Sequence, residues 1–264
     1  LAWNSGQFSE FIFLFALICA IALQIAVNLA NDFFDGKSGV DSEHRKGPQR
    51  VTQSGLVSDR QMILALCLTC LVALGSGLVL VYLSSSVLLY LGFASLLAVF
   101  AYSGGPKPLA SHALGEVTVL IFFGWLAVAG TFYAHTLSVT WQVIGYGTVA
   151  GLISAAIMLV NNIRDIPTDV VANKHTLAVR LGDAHARRVY QALLVTALIV
   201  HLVVSYDLGL WSFLPLLVVA PMTRTLLGDI QTTQGEGLNQ LLARTAKLEF
   251  FYCVLMGLVL VIAH

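Results

Sequence analysis

The chain has 264 residues, 58% of them hydrophobic and 11% charged, with a mean hydropathy of +0.84. A soluble domain carries about 25% charged residues, so this composition excludes one, and the apolar runs are too long for the strands of a membrane barrel. Basic and acidic residues balance at 14 each, and no nucleic-acid partner is expected.

In chain order, Leu1-Ala-Trp3 reads as the end of a helix, so an N-terminal segment, up to a whole span, is expected to precede it. Eight apolar segments then approach the ~20 residues a bilayer needs. They cover 9–31, 58–82, 86–103, 114–134, 138–162, 187–206, 208–226 and 245–263. The expected fold is an all-α polytopic transmembrane bundle forming a single domain over 1–264. Short connections at 83–85, 135–137 and 207 alternate with long polar ones at 32–57, 104–113, 163–186 and 227–244. Alternation places every long connection on one side of the membrane. All 14 Lys and Arg residues fall on that side, which the positive-inside rule assigns to the cytoplasm. Cys67 and Cys70 lie within an apolar helix without His or Gly beside them and read as small hydrophobic residues.

The first polar stretch, N-L-A-N-D-F-F-D-G-K-S-G-V-D over 28–41, closes the first span. If the helix persists to Asp35, then Asn28, Asp32 and Asp35 share one face; Asn31 and Asp41 belong to the same stretch. Asn161-Asn162-Ile-Arg-Asp165-Ile-Pro-Thr-Asp169 closes the fifth span in the same orientation. The match suggests two pseudo-repeated four-helix halves around a central cavity. Pro167 is expected to bend or end the second helix, leaving Asp169 on a loop or a new helix start.

Basic residues follow each cluster: Arg45, Lys46 and Arg50 after the first, Lys174 and Arg180 after the second. One Asp at a helix end is usually a loop residue or an ion-pair partner. Two clusters at matching positions, each flanked by bases, point instead to a polyanion held through a hard divalent cation. Mg2+ suits that role, because it prefers oxygen and shares its shell with substrate phosphates. Two clusters fit a two-metal clamp on a diphosphate, and Mn2+ could substitute. The loop A-Y-S-G-G-P-K-P-L-A-S-H-A-L-G-E adds Tyr102, Lys107 and Glu116 near the same mouth, with Asn161 behind them. Arg187 and Arg188 read as orientation signals meeting lipid heads. Glu249 is expected to pair with Lys247 or Arg244.

These motifs as a set resemble the UbiA superfamily of intramembrane prenyltransferases, over essentially the whole chain. N-L-A-N-D-F-F-D with G-V-D, R-K-G-P-Q-R, L-G-E-V-T-V-L-I-F-F-G-W-L, N-N-I-R-D-I-P-T-D and K-H-T-L-A-V-R-L-G are similar to its 1,4-dihydroxy-2-naphthoate polyprenyltransferase branch. The superfamily's usual first motif has a third Asp where this chain has Gly39, and the next acid is Asp41. The resemblance implies nine spanning helices, of which this chain would hold eight, in a bacterial inner membrane with the site open to the cytoplasm. It implies Mg2+, two ions in all, held by Asp32, Asp35, Asp165, Asp169, Asn31 and Asn162, with Asn28 orienting the carboxylates. Arg45, Arg50, Lys174 and Arg180 would neutralise the diphosphate of a polyprenyl diphosphate. Asp41, Tyr102, Lys107, Glu116 and Asn161 would face the acceptor, 1,4-dihydroxy-2-naphthoate, and the product would be demethylmenaquinone. Hydroxybenzoate or homogentisate are alternative acceptors. Asp35-Gly36 is also similar to the D-G step of CDP-alcohol phosphotransferases, but Gly39-Val40 stands where their A-R pair should follow. An ion transporter would need acids deeper in the membrane.

Overall fold

A computed structural model describes residues 1–37 and 57–263 of the chain. Asp41, Arg45 and Arg50 lie outside the described residues, among which there are helices and no strand. The long helices are α1 (Glu10–Lys37), α2 (Asp59–Leu83), α3 (Val87–Ser103), α4 (Gly115–Thr136) and α5 (Trp141–Val171). A short α6 (Leu177–Leu181) leads to α7 (Asp183–Val204), α8 (Phe213–Thr232) and α9 (Gly237–Ile262). Of the eight expected spans, seven are long and apolar enough to cross a membrane. The exception is α3, whose 17 residues rise only about 26 Å.

Helix ends depart most from the sequence-based expectation on the charged side. α1 runs on to Lys37 and α5 to Val171, so the stretches read as motif loops begin as helix. α8 and α9 likewise extend to Thr232 and from Gly237, leaving a short turn where a long loop was expected. Polar side chains do not prevent a helix from leaving the bilayer, so hydropathy marked the membrane boundary and not the helix end. Local signals still set several starts. Ser58 and Gln61 form a capping box at α2, and Thr140 caps α5 through the Val143 N–H.

α5 is the central helix. Its most apolar stretch is 72% buried, against 17% for α1, whose outward face is left to lipid. Glycines permit this burial. A β-carbon on Gly124 of α4 would lie 2.5 Å from the Gly147 carbonyl oxygen and 2.8 Å from the Gly151 α-carbon. The two backbones therefore meet through small residues, the usual solution where lipid supplies no hydrophobic drive. Gly124 sits in a π-helical turn, Leu120–Leu126, within α4. On its other side α5 joins α7, α8 and α9 in one continuous core that includes Ile153, Leu159, Tyr190, Leu194, Leu226 and Leu248.

Buried polar groups in this half are bonded to one another. His201 is fully buried and contacts the Tyr252 hydroxyl at 3.3 Å and the Ser212 carbonyl at 3.0 Å. Arg187 is also buried, not at the lipid surface: it donates to the Ile230 and Thr233 carbonyls at the end of α8 and to Asp183 at 2.8 Å. Its neighbour Arg188 stays exposed, as an orientation signal would. Glu249 accepts a hydrogen bond from Ser154 of α5, while Arg244 turns to Asp229 at 2.5 Å; the expected pairing of Glu249 with Arg244 or Lys247 is not made. Cys67 is exposed on α2 and Cys70 half-buried, both as free thiols.

Among helices α1 to α4, the first half of the bundle, lies an apolar cavity of about 330 Å³, reaching from Asn28, Asn31 and Tyr102 toward Leu80, Leu88 and Ala134.

Replacing Gly124 or Gly151 by Leu forces backbone displacement, at an overpacking cost of about 1–3 kcal/mol or more. Either variant is expected to lower the melting temperature in detergent, whereas Gly75→Leu, on an exposed position with open space around it, leaves it unchanged.

Candidate active site

The site begins where α1 and α5 leave the apolar layer. Because α1 continues through Asp35, Asp32 is half-buried and Asp35 buried at 6% exposure. Lys37 lies in the last turn, where a cation favours the helix dipole. α5 continues through Pro167, giving up one backbone hydrogen bond, so Asn161, Asp165 and Asp169 stand one above the other on a single helix. The helix does not end at Pro167, and Asp169 stands on it and not on a loop or a new helix start. Asp169 is buried, 7% exposed, near the end of α5.

The chain then reverses. Asn173 adopts a left-handed conformation with φ 55°, and the Lys174 N–H returns to the Asp169 carbonyl at 2.8 Å. The His175 N–H bonds the Ser111 carbonyl at 3.0 Å, fixing this turn against the loop between α3 and α4. Lys174 is thereby aimed across the bundle. Its Nζ lies 3.2 Å from Oδ1 of Asp35, tying the second motif to the first. Thr176 caps α6 and directs its hydroxyl toward Asp169 at 3.5 Å. The charges of Lys174, Asp165 and Asp35 all act on Asp169. Aspartates from both motifs thus share one mouth, beside a cleft of about 350 Å³ lined by Asp35, Lys37, Ser103, Ser111, Asn173 and Lys174.

Asp165 is held differently. Arg164, only 4% exposed, donates from Nε and Nη2 to both its oxygens at 2.8 and 2.7 Å. The same guanidinium reaches Oδ1 of Asn161 at 2.7 Å and Oδ1 of Asn239, on α9, also at 2.7 Å. This bidentate fork fixes the carboxylate plane. Sequence reasoning quoted Arg164 within N-N-I-R-D without giving it a role, and Asn239 fell in a stretch read as a polar connection. A Lys or Arg beside an Asp on the last turn of an apolar helix was the available signal for Arg164; Asn239 carried none.

The asparagines divide. Asn31 accepts from the Ser103 hydroxyl at 2.9 Å and borders both the aspartates and the apolar cavity. Asn28 is exposed, donates to the Gln24 carbonyl at 2.9 Å and lines the head of that cavity. Asn162 turns to α4, donating to Oε1 of Glu116 at 2.8 Å. Glu116 is buried, and its Oε2 has no hydrogen-bond partner among the described residues. Among the described residues, the buried Tyr102 hydroxyl donates to the Met158 sulfur, at 3.4 Å. Lys107 and Arg180 are exposed, and no bond joins either to these aspartates among the described residues.

Chemically, the mouth offers carboxylate and amide oxygens together with the ammonium groups of Lys37 and Lys174. No three His, Cys, Asp or Glu side chains among the described residues converge closely enough to enclose an ion. The donor set nevertheless fits a hard cation that completes its shell with substrate phosphates and water. Lys174 and Arg164 supply positive charge to Asp35 and Asp165 respectively.

Residues 1–261 match the UbiA prenyltransferase family. The chain is 39% identical to the 1,4-dihydroxy-2-naphthoate octaprenyltransferase of Mycobacterium tuberculosis, over 84% of this chain and 75% of that protein. It is 36% identical to the protein of the same name from Escherichia coli, over 94% and 83%. With the Mycobacterium leprae protein of that name, identity is 43% over 69% of this chain, and the match spans 62% of the relative's length. Among solved structures, the UbiA homolog of Aeropyrum pernix K1 superposes with a TM-score of 0.77 at 16% identity, over 97% of this chain and 93% of that one. A UbiA homolog of Archaeoglobus fulgidus bound to DMAPP and Mg2+ gives 0.57 at 11% identity, over 97% and 92%. With an all-helical bundle and two facing aspartate motifs already in place, the chain belongs to the UbiA prenyltransferase family.

Proposed function

We propose that this membrane protein transfers a polyprenyl group from an isoprenyl diphosphate to 1,4-dihydroxy-2-naphthoate, releasing diphosphate and carbon dioxide and giving demethylmenaquinol, the two-electron-reduced form of demethylmenaquinone. The contact that carries this reading is Lys174–Asp35 at 3.2 Å. It brings both aspartate motifs to one mouth at the head of an apolar cavity, in a chain 36–43% identical to relatives named for that reaction.

Asp32, Asp35, Asp165 and Asp169 would hold two Mg2+ ions, with Asn31 as a supporting amide; Asn162, bonded to Glu116 of α4, falls outside this set. When bound, Mg2+ supplies positive charge to the leaving diphosphate. Asn28 orients the first motif at the head of the cavity. Arg164 and Asn161 hold the carboxylate of Asp165 in one plane. Lys174 exchanges Asp35 for phosphate oxygens as the donor enters, with Arg180 as a further base; Arg45 and Arg50, outside the described residues, would add positive charge toward the diphosphate. The allylic C–O bond breaks with its electrons leaving on diphosphate, an electron-rich ring carbon of the naphthoate forms the new C–C bond, and the ring–carboxylate bond then breaks, releasing carbon dioxide and returning its electrons to the ring. The apolar cavity holds the isoprenoid tail and keeps water from the allylic cation. Tyr102, Glu116 and Asn161 face the acceptor, with Lys107 further out; Asp41, outside the described residues, is a further candidate. The basic side faces the cytoplasm of a bacterial inner membrane, since every Lys and Arg belongs to it.

Asp35→Ala and Asp165→Ala are each expected to reduce turnover by at least about 10²-fold, the order seen when one preorganised electrostatic contact is removed. The purified variants should remain monodisperse in detergent. Near-normal turnover in either would remove the two-motif site.

A panel of acceptors assayed with one polyprenyl diphosphate is expected to yield product with 1,4-dihydroxy-2-naphthoate and only in the presence of a divalent cation. Preference for 4-hydroxybenzoate or homogentisate would reassign the acceptor while keeping the donor chemistry.

A further inference from the structure

The apolar cavity of the first half has a defined depth. Along α1 its lining runs from Asn31 at the motif end to Ala16, fifteen residues or about 22 Å of helix. Three glycines on three different helices line it: Gly77 on α2, Gly92 on α3 and Gly130 on α4. Gly77 stands six residues before Leu83, Gly92 five after Val87 and Gly130 six before Thr136. All three are therefore about 8–9 Å from the helix ends opposite the aspartates. They occupy one level of the cavity, far from the reacting centre.

These glycines differ from those of the α4–α5 contact. A β-carbon on Gly124, Gly147 or Gly151 would run into the neighbouring helix, at 2.5, 3.0 and 2.6 Å from the first heavy atom. On Gly77 or Gly92 it would meet nothing within 4 Å, and on Gly130 only Leu126 Cδ1 at 3.9 Å. Helix packing therefore does not require glycine at these positions, and glycine is unfavourable within a helix by about 1 kcal/mol relative to alanine. What their lack of a side chain leaves is open cavity, continuous with the polar mouth through Asn31 and Tyr102.

We propose that Gly77, Gly92 and Gly130 set the length of isoprenoid tail that the protein accepts, by keeping the far third of the cavity open. The inference rests on the reading above that the donor is a polyprenyl diphosphate. A short tail ends before the glycine level and does not sense it. A long tail must pass between the three helices there, and any side chain added at that level competes with it for space.

The test compares kcat/KM for geranyl and octaprenyl diphosphate, using the purified full chain and 1,4-dihydroxy-2-naphthoate. Gly77→Leu, Gly92→Leu and Gly130→Leu are each expected to lower the octaprenyl-to-geranyl ratio by about tenfold or more, the discrimination of one or two methylenes in an apolar pocket, with geranyl turnover nearly unchanged. Gly75→Leu is the control, since Gly75 has open space around it but does not line the cavity; its ratio should match the wild type. An unchanged ratio in the three variants, or an equal fall in Gly75→Leu, overturns the proposal. If a Leu variant loses both donors, the corresponding Ala variant decides: it adds one carbon to open space, and an unchanged ratio there also counts against the proposal. Wild-type protein that uses neither donor would overturn the proposed function, and this inference with it; wild-type use of both with an unchanged ratio in the variants overturns this inference alone.

Discussion

The structure depends on how several carboxylates are kept together at the edge of a low-dielectric layer. Asp35 and Asp169 are buried, and Asp35 and Asp165 are both close enough to act on Asp169. Like charges in such a place repel strongly and lose their hydration. Two cations answer this from opposite sides. Lys174 reaches Asp35 from the turn after α5, and Arg164 grips Asp165 from within α5. The first contact is long and single; the second is short and bidentate. That difference suits a lysine that can be exchanged for substrate and an arginine that stays in place.

Around this mouth the bundle divides its labour. Helices α5, α7, α8 and α9 form a continuous core whose polar groups are bonded to one another, including His201 with Tyr252 and Arg187 with the end of α8. That half is the rigid support for the second motif, and Asn239 extends the support to the first turn of α9. Helices α1 to α4 line the cavity. The seam between the halves is made of glycines, Gly124 against Gly147 and Gly151, where backbones touch. A site built on such a seam draws one motif from each side, so its geometry depends on the seam being tight. A cavity beside it can stay open because the other half supplies the stability.

What the sequence determined by itself was the bundle and the chemistry at its charged end. Twenty-residue apolar runs admit only helices, because unpaired backbone groups cannot face lipid. The paired N-D-x-x-D and N-x-x-D-x-x-x-D clusters were visible because carboxylates at span ends are rare enough to stand out against apolar flanks. Tertiary structure alone decided the rest. Hydropathy could not show that α1 reaches Lys37 or that α5 passes through Pro167, since leaving the bilayer and ending a helix are different events. No local signal announced that Asn162 would turn to Glu116 and not to the aspartates, or that Asn239 would complete the Arg164 clamp. Those pairings join residues distant in the chain, and side-chain reach is fixed only once the helices cross. The same holds for the glycines: Gly124 and Gly77 look alike in sequence, yet one closes a helix contact and the other opens onto the cavity, because only the packed bundle determines what stands opposite each.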